Sequence, residues 1–252
     1  MKHAWVLHEC SRCHGVAHEQ GLLLDDGQVL ALDGLHWLPP LGPVPQARSI
    51  LALGLNYADH ARELAFKPPS EPLAFIKTEG TLLGHGGQTV RPMDVEHMHA
   101  ECELVIVIGS VAKQVNETQA RDCIAGYTVG NDYAIRDYLE NWYRPNMRVK
   151  NRDACTPIGP WLVDAADVPD PRNLRLITRL NGRVVQDGNT RDMLFDANAL
   201  VAYFSSFMTL RPGDLIFTGS PTGVDDCRPG DEVETEIEGI GVLRNTIVGA
   251  LE

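Results

Sequence analysis

The sequence predicts an α+β fold that is mostly β, with a few helices covering the strands. Short apolar runs bounded by turn residues recur along the chain, and 23 glycines and 16 prolines supply many turns. Helical patterns are few. The 252 residues suit one large domain, residues 46–252, preceded by a small β subdomain, residues 1–45.

The N-terminal part is predicted to consist of short strands joined by turns. It contains AWVLH and GLLLDDGQVLALDG, in which Asp26-Gly27 is a hairpin signal. The proline-rich stretch WLPPLGPVP is typical of a linker. The apolar run SILALGLN then opens the larger unit.

One motif in this part needs its own interpretation. Cys10, Cys13 and His14 match the C-x-x-C-H pattern of haem attachment. No export signal accompanies it, and a zinc site would need a second Cys/His pair. We interpret the motif as an incidental cysteine pair in a surface hairpin.

Three segments of the larger unit have helical patterns. Asn116 to Gln119 resembles a capping box that opens a helix ending near Gly126. AIRDYLENWY, residues 134–143, is predicted to be helical, and residues 195–210 form the longest predicted helix, with Asp196 as its cap.

A hairpin is predicted near the end of the chain, in EVETEIEGIGVLRNTIV, residues 232–248. Its alternation places Val233, Thr235 and Ile237 inward. Its glutamates are expected on a solvated face.

Composition excludes some classes of function. The net charge of −12 would repel a polyanion, so we expect no nucleic acid partner. No run of 18 apolar residues predicts a membrane span. Without a secretory signal, the protein is expected to be cytoplasmic, with its six cysteines reduced.

The segment HAECELVIVIG, residues 99–109, combines a buried strand with two carboxylates. Leu104 to Ile108 are apolar, while Glu101 and Glu103 stand where the strand begins. Alternation places both glutamates on one side, with Cα atoms about 6.6 Å apart. Carboxylates this close repel unless a cation intervenes. A divalent metal is one interpretation, and an exposed strand end with two solvated glutamates is the other.

A third carboxylate follows the next β run, in AGYTVGNDYAIRDY. Asp132 stands where that run meets a loop, so it could complete a metal site with Glu101 and Glu103. Arg136 and Lys150 follow, and these cations could hold an anionic substrate beside the metal. Taken singly, each would more often be a surface charge.

Two further segments carry groups suited to chemistry. In LGLNYADHARE, His60 and Glu63 are three residues apart and would share a helix face, either as a proton-transfer dyad or as a surface pair. In FTGSPTGV, residues 217–224, a strand is followed by a turn that can offer N–H groups and hydroxyls to a carboxylate.

Together these segments resemble the fumarylacetoacetate hydrolase family over about residues 50–248. The segments NYADHARELAFKPPSEPL, NDYAIRDYLENWYRPNMRVKNRD and SSFMTLRPGDLI resemble its branch in homoprotocatechuate (4-hydroxyphenylacetate) catabolism. The resemblance implies a mixed β-sandwich roll, a homodimer, and a Mg²⁺ or Mn²⁺ cofactor.

The resemblance also implies roles for particular residues. The implied metal ligands are Glu101, Glu103 and Asp132. The implied catalytic residues are His60, Glu63 and Lys150. The implied substrate-binding residues are Arg136, Lys150, Tyr138, Gly219, Ser220 and Lys77.

The sequence departs from family patterns at three places. The stretch from Leu53 to Tyr57 lacks the aspartate of the animal-type hydrolases, so three protein ligands remain. Leu139 replaces the glutamine of oxaloacetate-decarboxylating relatives, which disfavours that substrate. Ser220 replaces a threonine of the family loop and keeps its hydroxyl.

The expected function is therefore 2-hydroxyhepta-2,4-diene-1,7-dioate isomerisation and 5-oxopent-3-ene-1,2,5-tricarboxylate decarboxylation. The expected partner is a small 2-oxo or 2-hydroxy dicarboxylate or tricarboxylate. One alternative is a hydrolase that cleaves a C–C bond of acylpyruvates or fumarylpyruvate. Another is a metal-dependent protein that binds organic acids without turnover.

Overall fold

The computed structural model describes residues 1–47, 49–59, 67–139, 147–223 and 225–250. Strands predominate in it. The described strands are Lys2–His8 (β1), Ser11–His18 (β2), Gly21–Leu24 (β3), Val29–Leu30 (β4), His36–Leu38 (β5), Ile50–Gly54 (β6), Leu73–Lys77 (β7), Leu82–Leu83 (β8), Gln88–Arg91 (β9), Met98–His99 (β10), Cys102–Ile108 (β11), Ile124–Asn131 (β12), Ala134–Ile135 (β13), Thr156–Pro157 (β14), Leu162–Asp164 (β15), Arg175–Leu180 (β16), Arg183–Asn189 (β17), Leu215–Phe217 (β18), Glu232–Ile237 (β19) and Gly241–Gly249 (β20).

Helices are few within the described ranges. The α-helices there are Glu117–Asp122 (α1), Met147–Lys150 (α2) and Ala197–Phe207 (α3). Single 3₁₀ turns occur at Glu79–Thr81, Arg136–Tyr138, Ala165–Asp167 and Thr190–Asp192. No helix in this part of the chain is both long enough and apolar enough to span a membrane.

The strands form two main sheets. The larger has 11 strands in the order β4-β3-β2-β1-β15-β12-β11-β18-β6-β7, with β5 paired to β1. The smaller has five strands in the order β17-β16-β19-β20-β9. Each contains one parallel pair, β18 with β6 and β20 with β9. The prediction of a mostly β, mixed-sheet fold is confirmed.

Strand β11 lies at the centre of the larger sheet and is covered on both faces. Leu104 and Ile106 pack in one apolar cluster with Leu200 of α3, whereas Val105 and Val107 pack in another on the opposite face. Burial on both faces explains why this strand is a continuous apolar run rather than an alternating one.

Two predicted helices are confirmed, with shorter bounds. Asn116 and Gln119 form the capping box of α1, which ends four residues before Gly126. The Asp196 side chain accepts a hydrogen bond from the Ala199 N–H at 2.9 Å and caps α3.

The prediction of a helix at residues 134–143 is wrong for its described part. Ala134 and Ile135 instead form β13, which pairs with β10, and residues 136–138 make a single 3₁₀ turn. Both strand residues are buried. Pairing with a distant strand therefore outweighs local helix propensity here.

The predicted hairpin at residues 232–248 is confirmed as β19 and β20. Val233, Thr235 and Ile237 are buried. The outward glutamates do not simply face water, because Arg179 Nη1 lies 2.8 Å from carboxylate oxygens of both Glu234 and Glu236.

The N-terminal residues form strands, as predicted, and extend the larger sheet. Lys2 and His3 of β1 pair with Val163 and Leu162 of β15. The division into residues 1–45 and 46–252 stays a prediction.

The cysteines of the C-x-x-C-H motif lie in the surface hairpin of β1 and β2, as predicted. Cys10 is exposed, Cys13 is partly exposed, and both are free thiols. His14 is instead within hydrogen-bond distance of His3 and Asp25.

Candidate metal centre

Three carboxylates meet where the start of β11 lies beside the end of β12. Glu101 immediately precedes β11, Glu103 is its second residue, and Asp132 immediately follows β12. Their potential ligand atoms all lie within 4.8 Å of one another. The three predicted metal ligands are thus brought together, although Asp132 stands 29 residues after Glu103 in the sequence.

The backbone around these carboxylates is fixed by antiparallel pairing. Cys102 pairs with Asn131 in the register of β11 and β12. The Asp132 N–H donates to the Glu101 carbonyl at 2.9 Å, and the Glu101 N–H donates to the Asn131 side chain at 2.9 Å. These hydrogen bonds fix the distance between the segment that carries Glu101 and Glu103 and the segment that carries Asp132.

The carboxylates are buried, so the alternative of two solvated glutamates at a strand end does not fit. Glu103 and Asp132 are fully buried, and Glu101 is 7% exposed. Burial, followed by the charges of Asp132 and Glu101, raises the pKa of Glu103 well above its ordinary value.

The oxygens of Glu103 indicate what this site can accept. Oε2 accepts a hydrogen bond from the Gly219 N–H at 2.7 Å. Oε1 is buried and has no hydrogen-bond partner among the described residues. A buried carboxylate oxygen without a partner is costly, and a cation would compensate it. Oxygen donors of this kind fit a hard divalent ion such as Mg²⁺.

Two buried lysines contact the same carboxylates. Lys150 Nζ lies 2.6 Å from Glu101 Oε2 and 2.8 Å from Asp132 Oδ2. Lys77 Nζ contacts Asp132 Oδ1 and donates to the Lys150 carbonyl at 2.5 Å. Burial alone would lower the pKa of Lys150, but the charges of Asp132 and Glu101 outweigh burial and raise it. Both lysines named in the sequence analysis therefore lie at the site.

Arg136 reaches the site from the turn after β13. Its Nη2 lies 3.5 Å from Glu101 Oε1, and its Nε donates to His99 Nε2 at 2.6 Å. Burial lowers the pKa of His99 well below its ordinary value. Sequence reasoning did not select His99, although strand alternation from Glu103 and Glu101 back to residue 99 could have indicated it.

Gly219 contacts Glu103 from the loop after β18, and Ser220 follows it in that loop. Gly219 has a φ of +87°, and a Cβ there would lie 2.9 Å from Asn56 Cβ, so only glycine fits. Ser220 is buried, and its Oγ accepts from Gln186 Nε2 at 2.8 Å.

The remaining predicted residues are placed differently. The Tyr138 hydroxyl lies 3.3 Å from Asp94 Oδ1, and the Arg148 guanidinium lies 3.6 Å from the centre of its ring. The first contact is with the loop that holds Asp94 and the second with helix α2. His60 and Glu63 lie outside the described residues.

Comparison with known families accounts for the arrangement. The sequence model described as "Fumarylacetoacetate (FAA) hydrolase C-terminal" matches residues 49–248. The chain belongs to this family. The resemblance drawn from the sequence motifs is thereby confirmed.

A curated family member is highly similar over most of this chain. The "4-hydroxyphenylacetate degradation bifunctional isomerase/decarboxylase" of Salmonella dublin is 58% identical over 206 residues. The match covers 82% of this chain and 48% of the relative. The chain thus spans about half the length of this relative.

Solved family members share the fold. A 5-carboxymethyl-2-hydroxymuconate delta-isomerase from Mycobacterium smegmatis has a TM-score of 0.88 at 34% identity, covering 100% of both chains. A fumarylpyruvate hydrolase from Pseudomonas aeruginosa, in complex with Mn²⁺ and pyruvate, has a TM-score of 0.76 at 32% identity. That match covers 82% of this chain and 94% of the hydrolase.

Proposed function

We propose that this protein is a divalent-metal-dependent isomerase and decarboxylase of 4-hydroxyphenylacetate degradation. Its substrates would be 2-hydroxyhepta-2,4-diene-1,7-dioate and 5-oxopent-3-ene-1,2,5-tricarboxylate. The observation that carries the proposal is the buried cluster of Glu101, Glu103 and Asp132 with cationic side chains around it. The similarity to the bifunctional relatives supports the choice of substrates.

The proposed cofactor is Mg²⁺ or Mn²⁺, held by Glu101, Glu103 and Asp132. When bound there, the ion would supply a Lewis acid that withdraws electrons from a 2-oxo acid. The Mn²⁺ in the fumarylpyruvate hydrolase supports this choice. Lys150 Nζ would hold the Glu101 and Asp132 carboxylates toward a shared cation, because it contacts both of them.

The cationic side chains of the site would bind the carboxylate groups of the substrate. Arg136 can offer a planar pair of N–H donors, while Lys150 can offer a compact ammonium. Ser220 Oγ accepts from Gln186, and its own O–H, which has no acceptor among the described residues, would donate to a substrate oxygen. Both substrates carry a carboxylate at each end, which suits a site with more than one cationic side chain.

Proton movement is assigned to His60, oriented by Glu63, on the basis of the family motif. In isomerisation His60 would take the proton of the 2-hydroxyl group and return it to the carbon at the far end of the conjugated diene. In decarboxylation the departing CO₂ leaves its electrons on the same conjugated chain, and His60 would then supply the proton. One site can thus serve both reactions because both pass through a dienolate of the substrate.

Substitution of His60 tests this assignment. His60→Ala should lower the rate by about 10²–10⁴, the usual scale of acid–base catalysis, while the substrate still binds. The comparison needs kcat for the variant and a separate binding titration with the metal present. An unchanged kcat would remove His60 from the mechanism.

The proposed function is tested by turnover with Mg²⁺ or Mn²⁺ present and with chelator present. The tricarboxylate and the dioate are supplied separately, and products are followed by mass and by diene absorbance. Metal-dependent CO₂ release from the first and tautomerisation of the second are expected. Glu101→Gln and Asp132→Asn should abolish both activities, and near-normal turnover in chelator would refute the metal role.

A hydrolase is the second candidate, favoured by the similarity to the fumarylpyruvate hydrolase. It would use the same carboxylates, with His60 activating water for C–C cleavage. Two smaller acids from fumarylpyruvate, with no change in the dioate, would select it. Binding of these acids without any product would select a binding protein.

A homodimer is also proposed, by resemblance to the family. Light scattering after size exclusion should give twice the 27.7 kDa of one chain. A mass of one chain at micromolar concentration would contradict it.

A further inference from the structure

The imidazole of His99 lies beside the carboxylates and has no role in the function proposed above. It is fully buried and stands two residues before Glu101. We propose that His99 is a positioning residue that orients the guanidinium of Arg136 toward a substrate carboxylate. This inference rests on the proposed function, in which Arg136 binds the substrate.

The backbone fixes His99 and Arg136 relative to each other. His99 pairs with Ala134 in the two-stranded sheet of β10 and β13. Arg136 follows β13 directly, and its N–H donates to the His97 carbonyl at 3.0 Å. The backbone hydrogen bonds therefore fix the distance between the Cα atoms of His99 and Arg136, and this distance allows their side chains to meet.

The contact also fixes the tautomer of His99. An arginine N–H can only donate, so the 2.6 Å bond from Arg136 Nε requires a lone pair on His99 Nε2. The ring proton then resides on Nδ1. His99 Nδ1 lies 3.6 Å from Glu101 Oε1, which is too long for a direct hydrogen bond. The firm interaction of His99 is thus with Arg136.

Because His99 bonds to Nε of Arg136, the terminal nitrogens of the guanidinium are the atoms that can bind a substrate carboxylate. His99 occupies Nε, and the 3.5 Å between Nη2 and Glu101 Oε1 is too long for a firm hydrogen bond. The two terminal nitrogens can therefore act as a fork for a carboxylate. The Arg136 side chain is 20% exposed, so part of it can be reached from solvent. Without His99, the guanidinium could rotate about its last bonds, and the fork would lose its fixed direction.

Two substitutions of His99 separate orientation from bulk. In His99→Gln the amide oxygen can stand near the position of Nε2 and accept from Arg136. In His99→Asn the shorter side chain reaches only the position of Nδ1 and cannot. We expect His99→Asn to raise KM about 10–100-fold, the usual effect of losing a supporting hydrogen bond, with a much smaller change in kcat. His99→Gln should stay within about threefold of wild type in KM.

The neighbouring His97 provides the matched control, because it is partly exposed and its side chain is not bonded to Arg136. His97→Asn should leave KM unchanged. Arg136→Lys keeps the charge but lacks the Nε–H, so it should raise KM as His99→Asn does. Adding His99→Asn to Arg136→Lys should then raise KM no further. If His99→Asn fails to fold, His99→Leu decides the matter, because it fills much of the ring's space without an acceptor and should raise KM as His99→Asn would.

The outcomes distinguish this inference from the proposed function. Wild-type turnover with equal KM for His99→Asn and wild type overturns the positioning role and leaves the function standing. A fall in kcat alone, or equal effects of the Gln and Asn variants, also overturns it. No wild-type turnover of either substrate overturns both.

Discussion

Glu103 is expected to affect both metal binding and the stability of the fold. It is fully buried, it stands within 4.8 Å of two other carboxylates, and one of its oxygens has no partner among the described residues. Such a group costs free energy in the folded protein unless a cation compensates it. Metal binding and folding are therefore expected to be linked through this side chain.

Glu103→Gln should separate the two effects. Wild type is expected to gain about 2.7 kcal/mol at a Mn²⁺ concentration 100 times Kd, seen as a higher Tm. The variant should lose most of this gain, because a neutral amide lacks the negative charge with which the carboxylate attracts a divalent cation. Its Tm without metal should equal or exceed that of wild type, because one repelling charge is gone. Thermal melts with chelator and with Mn²⁺ measure both quantities.

The exposed Glu71 supplies the control for this prediction. Glu71→Gln should keep the full Mn²⁺-induced rise in Tm. If Glu103→Gln also kept it, the ion would bind elsewhere, and the assignment of Glu103 as a ligand would be lost.

Sequence reasoning reached part of the site at this scale. The spacing of Glu101 and Glu103 was enough to place both carboxylates on one side of a strand. Sequence reasoning did not select His99, because Arg136, whose side chain donates a hydrogen bond to it, is 37 residues away in the sequence. The burial of Lys77 and its contact with Asp132 likewise depend on pairing across 55 residues, which local pattern does not encode.

At the scale of elements, the pairing of β11 with β12 is what builds the site. Gly130, opposite Glu103 in the register, makes this pairing possible. A Cβ at Gly130 would lie 2.5 Å from Phe217 Cε1 and 2.6 Å from Val105 Cγ2. These side chains belong to the packed core, so they cannot move aside freely.

Gly130→Ala should therefore destabilise the protein by about 1–3 kcal/mol, the usual cost of overpacking a core. Because Asp132 follows two residues later, affinity for Mn²⁺ should fall as well. Gly54→Ala on β6 is the matched control, since its Cβ would meet Leu73 at an ordinary 3.6 Å. Urea unfolding compares the three proteins, and equal stability of Gly130→Ala and wild type would show that the strand spacing is not critical.

Elements were predictable where local chemistry decides them. The capping residues Asn116 and Asp196 marked the starts of α1 and α3 correctly, because a cap acts within its own turn. The α-helix predicted at residues 134–143 is absent from its described part, because Ala134 and Ile135 pair with β10. The partner strand β10 begins 36 residues earlier, so the sequence around residue 134 does not indicate this pairing.

At the scale of the whole molecule, His85 lies between the two sheets. Its ring packs edge-on against Trp37 of β5 at 5.5 Å, and its Nδ1 accepts from the Arg244 N–H of β20 at 3.2 Å. Burial, and then the charge of Arg244, lower the pKa of His85 to about 4. The neutral ring is therefore the form that the folded state accepts.

This lowered pKa predicts how stability depends on pH. In the unfolded chain His85 binds a proton below its ordinary pKa of about 6.5. In the folded chain it binds that proton only when the pH falls to about 4. The free energy of unfolding should fall as pH drops through this window. His85→Asn keeps an acceptor near Nδ1 and does not titrate. Its loss of stability between pH 7 and pH 4.5 should be about 1–2 kcal/mol smaller than that of wild type.

Urea unfolding of both proteins at the two pH values gives this difference, and other titrating groups cancel in it. Equal losses would mean that protonation of His85 is tolerated in the folded state. The contacts that place His85 between the sheets could not be predicted from the sequence. The same holds for the parallel pairing of β18 with β6, because its partners Leu215 and Ile50 are 165 residues apart.

The central claim is that Glu101, Glu103 and Asp132 bind one divalent cation. Anomalous diffraction from crystals grown with Mn²⁺ tests it most directly. The account predicts one strong anomalous peak within coordination distance of an oxygen from each of the three carboxylates. A peak elsewhere, or none at a Mn²⁺ concentration that raises Tm, would contradict it.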